Sequence, residues 1–208
     1  MISQRFLAVL VLLGGALVDM ISAQHEGIRP FAGNDAYSVD YDNDDTTGRW
    51  IFNVYGDGYT GTDGSRKALD SIMVNTQSKR LTIIKAMNGL DKTVPLLKMR
   101  DVVQECWRMA GLQPSDMKEI MGYKVDNKTM QSALTQCRQD MNLQPRDSFV
   151  LSSTDTDPAK KTCWNRLAVT PFGNSVQSLL SQFLVNKKVT QIKVEDGGSW
   201  DNMYYELS

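Results

Sequence analysis

The chain has 208 residues, 23 of them basic and 24 acidic, with one histidine and three cysteines. A formal net charge of −1 gives no general pull toward nucleic acid or membrane surfaces. A lone histidine gives Ser-His-Asp or Cys-His catalysis little to stand on, and the length suits one domain able to bury a core without structural metals.

Arg5 precedes an uncharged, mostly apolar run from Phe6 to Val18, which gives way to the small-residue stretch Ile21-Ser22-Ala23. A charged start, a short apolar middle and a small-residue end read as a secretory signal peptide over residues 1–23. The run is shorter than the roughly 20 residues needed to cross a bilayer. A secreted, extracellular location follows as the expectation, with oxidised cysteines and usable N-glycosylation sequons.

Residues 24–48 carry Gly27, Pro30, Gly33 and the tract Asp40-Tyr-Asp-Asn-Asp-Asp45, and read as an irregular, acidic N-terminal arm ahead of a globular domain at 49–208. Asp40, Asp42 and Asp44 have the alternate-oxygen spacing of a calcium loop. Asp45 stands where the sharp turn wants Gly, and Ile51 where the bidentate Glu belongs, so a solvated acidic segment is the better reading. No metal or cofactor is expected. An amino-terminal copper site at His25 would need a cut other than the one after Ala23 and, for a monooxygenase, a second histidine.

Trp50-Ile-Phe-Asn-Val-Tyr55 alternates as a strand, followed by a glycine-rich loop to Gly64. Ser65 suggests a cap for a helix over 66–75 with Leu69, Ile72 and Met73 on one face. Leu81 to Met87 reads as a strand. Met99, Val102, Val103, Cys106 and Ala110 then recur at helical spacing, and Gly111 stops that helix. Met130, Ala133, Leu134, Cys137 and Met141 repeat the pattern 31 residues later, ending at Asn142. Leu112-Gln-Pro-Ser-Asp116 follows the first helix and Leu143-Gln-Pro-Arg-Asp147 the second. Each continues toward a strand, Ile120–Val125 and Ser148–Ser152. The pattern predicts an internal helix–turn–strand duplication, with a βαβ crossover as one way to place it.

Asp157-Pro158 opens a further helix carrying Cys163, Trp164 and Leu167. Pro171-Phe-Gly173 ends it, and Asn174 is the expected cap of the next, with Val176, Leu179, Leu180 and Phe183 on one face. Val189–Glu195 and Met203–Leu207 alternate around Asp196-Gly197 as a terminal hairpin. The fold class is α+β: a single domain with a mixed or mostly antiparallel sheet of five or six strands and about five helices.

Three cysteines allow one disulfide and one spare thiol. Cys106 and Cys137 occupy equivalent places on the inner faces of the repeated helices and are the first candidates, ahead of pairings with Cys163; a dimer through the spare cysteine is the alternative to a monomer. Asn127-Lys-Thr129 is a glycosylation sequon, and Asn127 also stands where a helix cap is wanted. No Gly-x-Ser-x-Gly or phosphate loop occurs, and catalytic residues stay unassigned. Carboxylate-pair chemistry has Asp57, Asp63, Asp101, Glu105 and Glu119 as candidates, with nothing to select two of them. Trp50, Trp107, Trp164 and Trp200 suit either core packing or a ligand groove, with Trp107 beside the apolar stripe and expected to be partly exposed. The leading expectation is a secreted, non-enzymatic binding protein of effector or toxin type with an extracellular protein or carbohydrate partner. The alternative is a small secreted hydrolase of polysaccharide or nucleic acid.

Overall fold

The computed structural model describes residues 26–31, 34–56, 70–84, 96–125 and 128–208. The predicted leader over 1–23, His25, Asp57, Asp63 and Asn127 lie outside the described residues. Among the described residues nine strands form one sheet: β1 (Glu26–Phe31), β2 (Asn34–Asp44), β3 (Arg49–Gly56), β4 (Asp70–Asn75), β5 (Arg80–Ile84), β6 (Glu119–Val125), β7 (Phe149–Ser152), β8 (Val189–Asp196) and β9 (Asp201–Leu207). Their order is β1-β2-β3-β4-β5-β6-β9-β8-β7. Only β5 and β6 run parallel; all other neighbours are antiparallel. Four α-helices accompany them among the described residues: α1 (Leu96–Met109), α2 (Lys128–Asp140), α3 (Pro158–Ala168) and α4 (Pro171–Gln182). The fold is therefore α+β with a mixed, mostly antiparallel sheet.

The parallel pair explains the place of α1. Parallel neighbours need a long crossover, and β5–α1–β6 supplies one. The terminal ribbon does not sit at the periphery: β9 lies between β6 and β8. Alternation puts Met203, Tyr205 and Leu207 into the core, beside Ile192 and Val194 of β8. One inward row crosses the sheet as Trp50, Val74, Leu81, Ile120, Tyr205, Ile192 and Leu151. The inward residues of all four helices join these in one apolar cluster, so the helices share a face of the sheet. Phe172 of α4 sits over Gly122 of β6, where a Cβ would come within 2.8 Å of its ring. The same ring meets Tyr205 edge-on, with centroids 5.3 Å apart. Each large side chain buried here contributes roughly 1.5 to 3 kcal/mol.

Nine strands replace the five or six expected, and four further expectations about local structure and cysteine pairing need correction. Among its described residues the acidic segment 24–48 is not an irregular arm: β1 pairs antiparallel with β2, with two register shifts, and β2 pairs in continuous register with β3. Asp40, Asp42 and Asp44 alternate along β2 because their even spacing is also a strand's period. Residues 70–75 form β4 rather than the end of a helix. Ile72 and Val74 point inward while Ser71, Met73 and Asn75 point out, a period of two that a short window confuses with helical spacing. The cap of α4 is Thr170, whose Oγ1 accepts from the Gly173 N–H (3.2 Å), and Pro171 takes the first helical position. Asn174 is instead inside the helix.

The fourth correction concerns the disulfide. Cys137 is bonded to Cys163, with Cα atoms 5.2 Å apart, and Cys106 is a buried free thiol. The helix packing decides this: α2 lies against α3, whereas α1 lies against α4 and β4. Burial pushes the Cys106 thiol up well above its ordinary range, so it stays protonated at neutral pH.

The two Leu-Gln-Pro-x-Asp phrases build the same turn. Gly111 and Asn142 both take left-handed backbone, with φ of 75° and 56°. Leu112 N–H donates to Trp107 O and Gly111 N–H to Arg108 O; 31 residues on, Leu143 donates to Arg138 O and Asn142 to Gln139 O. Both are Schellman ends. Asp116 then accepts from Gln113 N–H and Asp147 from Gln144 N–H, each at 2.8 Å. The strands that follow differ: β6 pairs with β5 and β9, whereas β7 is an edge strand running opposite to β6.

Candidate functional site

The second face of the sheet carries none of the apolar cluster. Met121 shows it: the residue is only 8% exposed yet lies outside the core cluster, on the side away from the helices. Its row continues outward through Thr82 and Met73 in one direction and Tyr204, Lys193 and Val150 in the other.

Tyr204 is the centre of this row. The Arg80 guanidinium carbon lies 5.5 Å from its ring centroid and the Lys193 ammonium 5.4 Å. Both cations are also paired with carboxylates, Arg80 with Glu119 and Lys193 with Glu195. Burial, a hydrogen bond to Glu195 and that residue's charge push the Tyr204 hydroxyl up to about 12. Bonds from Lys193 and Tyr204 hold the Glu195 carboxyl below its ordinary range.

A row of polar side chains flanks Tyr204. Arg80, Glu119, Glu206 and Gln191 are successive cross-strand partners on β5, β6, β9 and β8. Two carboxylates directly opposed would repel. Here Arg80 holds the outer side of Glu119, and the Gln191 amide, turned as its neighbours require, donates to both oxygens of Glu206 (3.0 and 3.2 Å). Ser78, Arg80, Glu119, Thr190 and Glu206 border a shallow cavity of about 430 Å³ at this end of the sheet.

At the other end β6 bulges. Gly122 pairs with Met203 and Val125 with Asp201, so Tyr123 and Lys124 together oppose Asn202. Lys124 has left-handed backbone, φ 53°, and its N–H donates to Asn202 Oδ1 (3.3 Å). Bulges re-aim side chains. This one brings the Lys124 ammonium 4.5 Å from the Trp200 ring centroid and 5.7 Å from that of Tyr123. The two rings meet edge to face, 6.0 Å apart. The hairpin tip that carries Trp200 is anchored from beneath: the buried Arg138 grips Asp201 through Nη2 (2.6 Å) and Nη1 (3.1 Å) and donates to Asp147 O from Nε (2.9 Å).

The sequence candidates scatter. Glu105 binds Arg108 one turn along α1, a surface pair, and Asp101 stands on the same helix's exposed side. Glu119 alone of the described carboxylate candidates belongs to the outer face. Asp44 is used by the turn after β2: Thr46 and Thr47 donate to it and hold its carboxyl down to about 2. Among the described residues no three Asp, Glu, His or Cys side chains converge on a metal-sized centre. The tryptophans do not form one groove. Trp107 is fully buried rather than partly exposed, because its indole N–H finds Gln113 O (2.8 Å) inside the turn. Trp50 stacks on Tyr41 and Phe52 at the inner face, and Trp164 packs against the core; only Trp200 reaches the outer face. The Lys124 bulge and the pairing of Glu119 with Glu206 had no sequence signal beyond Asp196-Gly197 marking the hairpin. No family model, curated protein or solved structure matches the chain.

Proposed function

We propose that this chain is a secreted protein that acts as a monomer by binding an extracellular partner, and that it does so through the face of its sheet opposite the four described helices. One observation carries the reading: partly exposed aromatic rings on that face each lie against a cation, Tyr204 against Arg80 and Lys193, and Tyr123 and Trp200 against Lys124. Rings packed before binding lose little freedom on contact, which is the economy of a recognition surface.

The proposal includes removal of residues 1–23 and glycosylation at Asn127, which follows the bulged strand by two residues. A disulfide between Cys137 and Cys163 agrees with an oxidising compartment. No helix among the described residues is long and apolar enough to cross a membrane. The 31-residue repeat is read as a duplicated helix-and-turn unit that sets where β6 and β7 begin.

The test is capture of surface-exposed material by the purified secreted protein, compared with the triple variant Arg80→Ala, Lys193→Ala, Tyr204→Ala. Capture lost in the variant, with melting behaviour kept, supports the reading; capture unchanged overturns it. Intact-mass analysis of the secreted product reads processing, glycan and disulfide together.

A second reading has its own observation. Glu119 and Glu206 are direct cross-strand partners at a cavity, the arrangement a carboxylate-pair hydrolase would use. Each carboxyl with a shift among the described residues (Asp44, Asp140, Glu195) is held down, not raised, and Arg80 and Gln191 already engage the pair. Polysaccharide hydrolysis that disappears in Glu206→Gln would establish this reading over the first.

A further inference from the structure

The bulged end of β6 carries an inference that rests on the binding reading above and names its ligand. We propose that Lys124, Tyr123 and Trp200 form a subsite for an acidic sugar, a uronate residue in an extracellular glycan whose charged units alternate with neutral ones.

Two local costs meet at this place. Lys124 holds a left-handed backbone that a side chain disfavours, φ 53°. The buried indole N–H of Trp200 has no acceptor, because the ring lies on Gly197, where a Cβ would come within 2.5 Å of that nitrogen. Unfavourable groups of this kind persist where the surrounding structure fixes them, and they gather at sites of function. What they secure is one arrangement: an ammonium 4.5 Å from one ring centroid and 5.7 Å from another.

Lys124 also differs from the other cations nearby. Arg80, Lys193 and Arg138 each have a carboxylate partner, whereas among the described residues Lys124 has none. Its charge is left for a ligand. A pyranose ring offers a C–H face to an aromatic ring, and a uronate carboxylate offers the counter-charge to the ammonium. Asn202 and Glu195, cross-strand partners beside the bulge, can accept sugar hydroxyls.

Charge selects among anionic ligands. Glu195 stands beside the subsite, and Glu119 and Glu206 farther along the same face. A polyphosphate would bring these carboxylates against a charge on every unit. A glycan charged on every second sugar meets Lys124 with its carboxylate and the flanking acids with hydroxyls.

The probes are a hyaluronan hexasaccharide, chitohexaose as its neutral counterpart, and a 12-mer oligodeoxynucleotide, each titrated into the full secreted protein at 0.15 M salt. Tryptophan emission and calorimetry are the readouts. The hyaluronan hexasaccharide is expected to alter tryptophan emission and to bind at least tenfold more tightly than chitohexaose. Lys124→Gly relieves the backbone conformation while removing the ammonium. It should lose that tenfold preference with a melting temperature unchanged or higher, and Lys124→Arg should keep the preference. Equal binding of the neutral hexamer overturns the acidic-sugar assignment while leaving the face as a binding surface. Tighter binding of the oligonucleotide overturns the ligand class. Wild-type behaviour of Lys124→Gly, or no saccharide binding at all, overturns the subsite. In that last case the Arg80/Lys193/Tyr204 variant still decides the wider reading separately.

Discussion

Arg138 and Asp201 face each other almost without water, with side chains 5% and 9% exposed. The guanidinium also lies 5.6 Å from the Phe149 ring centroid. Removing one partner strands the other charge, so Asp201→Ala should cost about 3 to 5 kcal/mol in chemical denaturation. Replacing both with apolar residues of similar volume should cost much less, since it is the stranded charge that is expensive. Asp44 makes a different point at the same scale. Its carboxyl is held low by Thr46 and Thr47 hydroxyls, so its folded value lies below its unfolded one. Such a group supports the fold above the unfolded carboxylate range, and that support fades as pH falls toward 2. Carboxyl-carbon NMR should find the Asp44 midpoint near pH 2, moving up toward the ordinary range in a Thr46→Ala, Thr47→Ala variant. The cysteines show why residue spacing was an incomplete guide. Cys106 and Cys137 share a sequence pattern, but a bond needs neighbouring helices, and Cys163 is on the neighbour. Cys163→Ala should lower stability by about 3 kcal/mol on the loop-entropy account, and thiol reagents should leave Cys106 unmodified until the protein unfolds.

The clearest lesson among elements is the repeated turn. Leu-Gln-Pro-x-Asp specifies its geometry locally: a left-handed residue before it, the Asp carboxylate returning to the Gln N–H, and Pro fixing the step between. That much is legible because every bond spans only a few residues. The strands that follow are not local, and they diverge. Gly111→Ala should cost about 1 kcal/mol, whereas Asn142→Gly should gain a few tenths to about 1, because asparagine tolerates but does not prefer that backbone. The contrast between the two otherwise matched turns, read by urea denaturation, checks that φ alone separates them. The Lys124 bulge was unreadable for the opposite reason. It depends on register between β6 and β9, strands separated by three helices, a short strand and a hairpin partner.

At the scale of the molecule, one sheet carries two chemistries. The inner face is a single apolar cluster under four helices; the outer face is a lattice of rings, cations and carboxylates. Phe172 over Gly122 locks α4 onto the middle of the sheet, so Gly122→Ala should force that ring aside and cost about 1 to 3 kcal/mol. Strand order also predicts how the sheet opens. Among the described strands β6 and β9 have partners on both sides, whereas β1 and β7 have one each. Amide exchange should be slowest in β6 and β9 and fastest in the edge strands.

The sequence by itself determined α1 to α3, the strands β3, β5, β6, β7, β8 and β9, both helix stops and the α+β class, because apolar period and end signals act within about a dozen residues. The tertiary structure alone decided that the acidic segment is the sheet's edge, that residues 70–75 are a strand, and that Cys137 meets Cys163. It alone set Glu119 against Glu206 and lifted Lys124 onto Trp200. Each of those depends on which distant segments become neighbours, and in a sheet that choice is made by burial of a whole face rather than by any short stretch of chain.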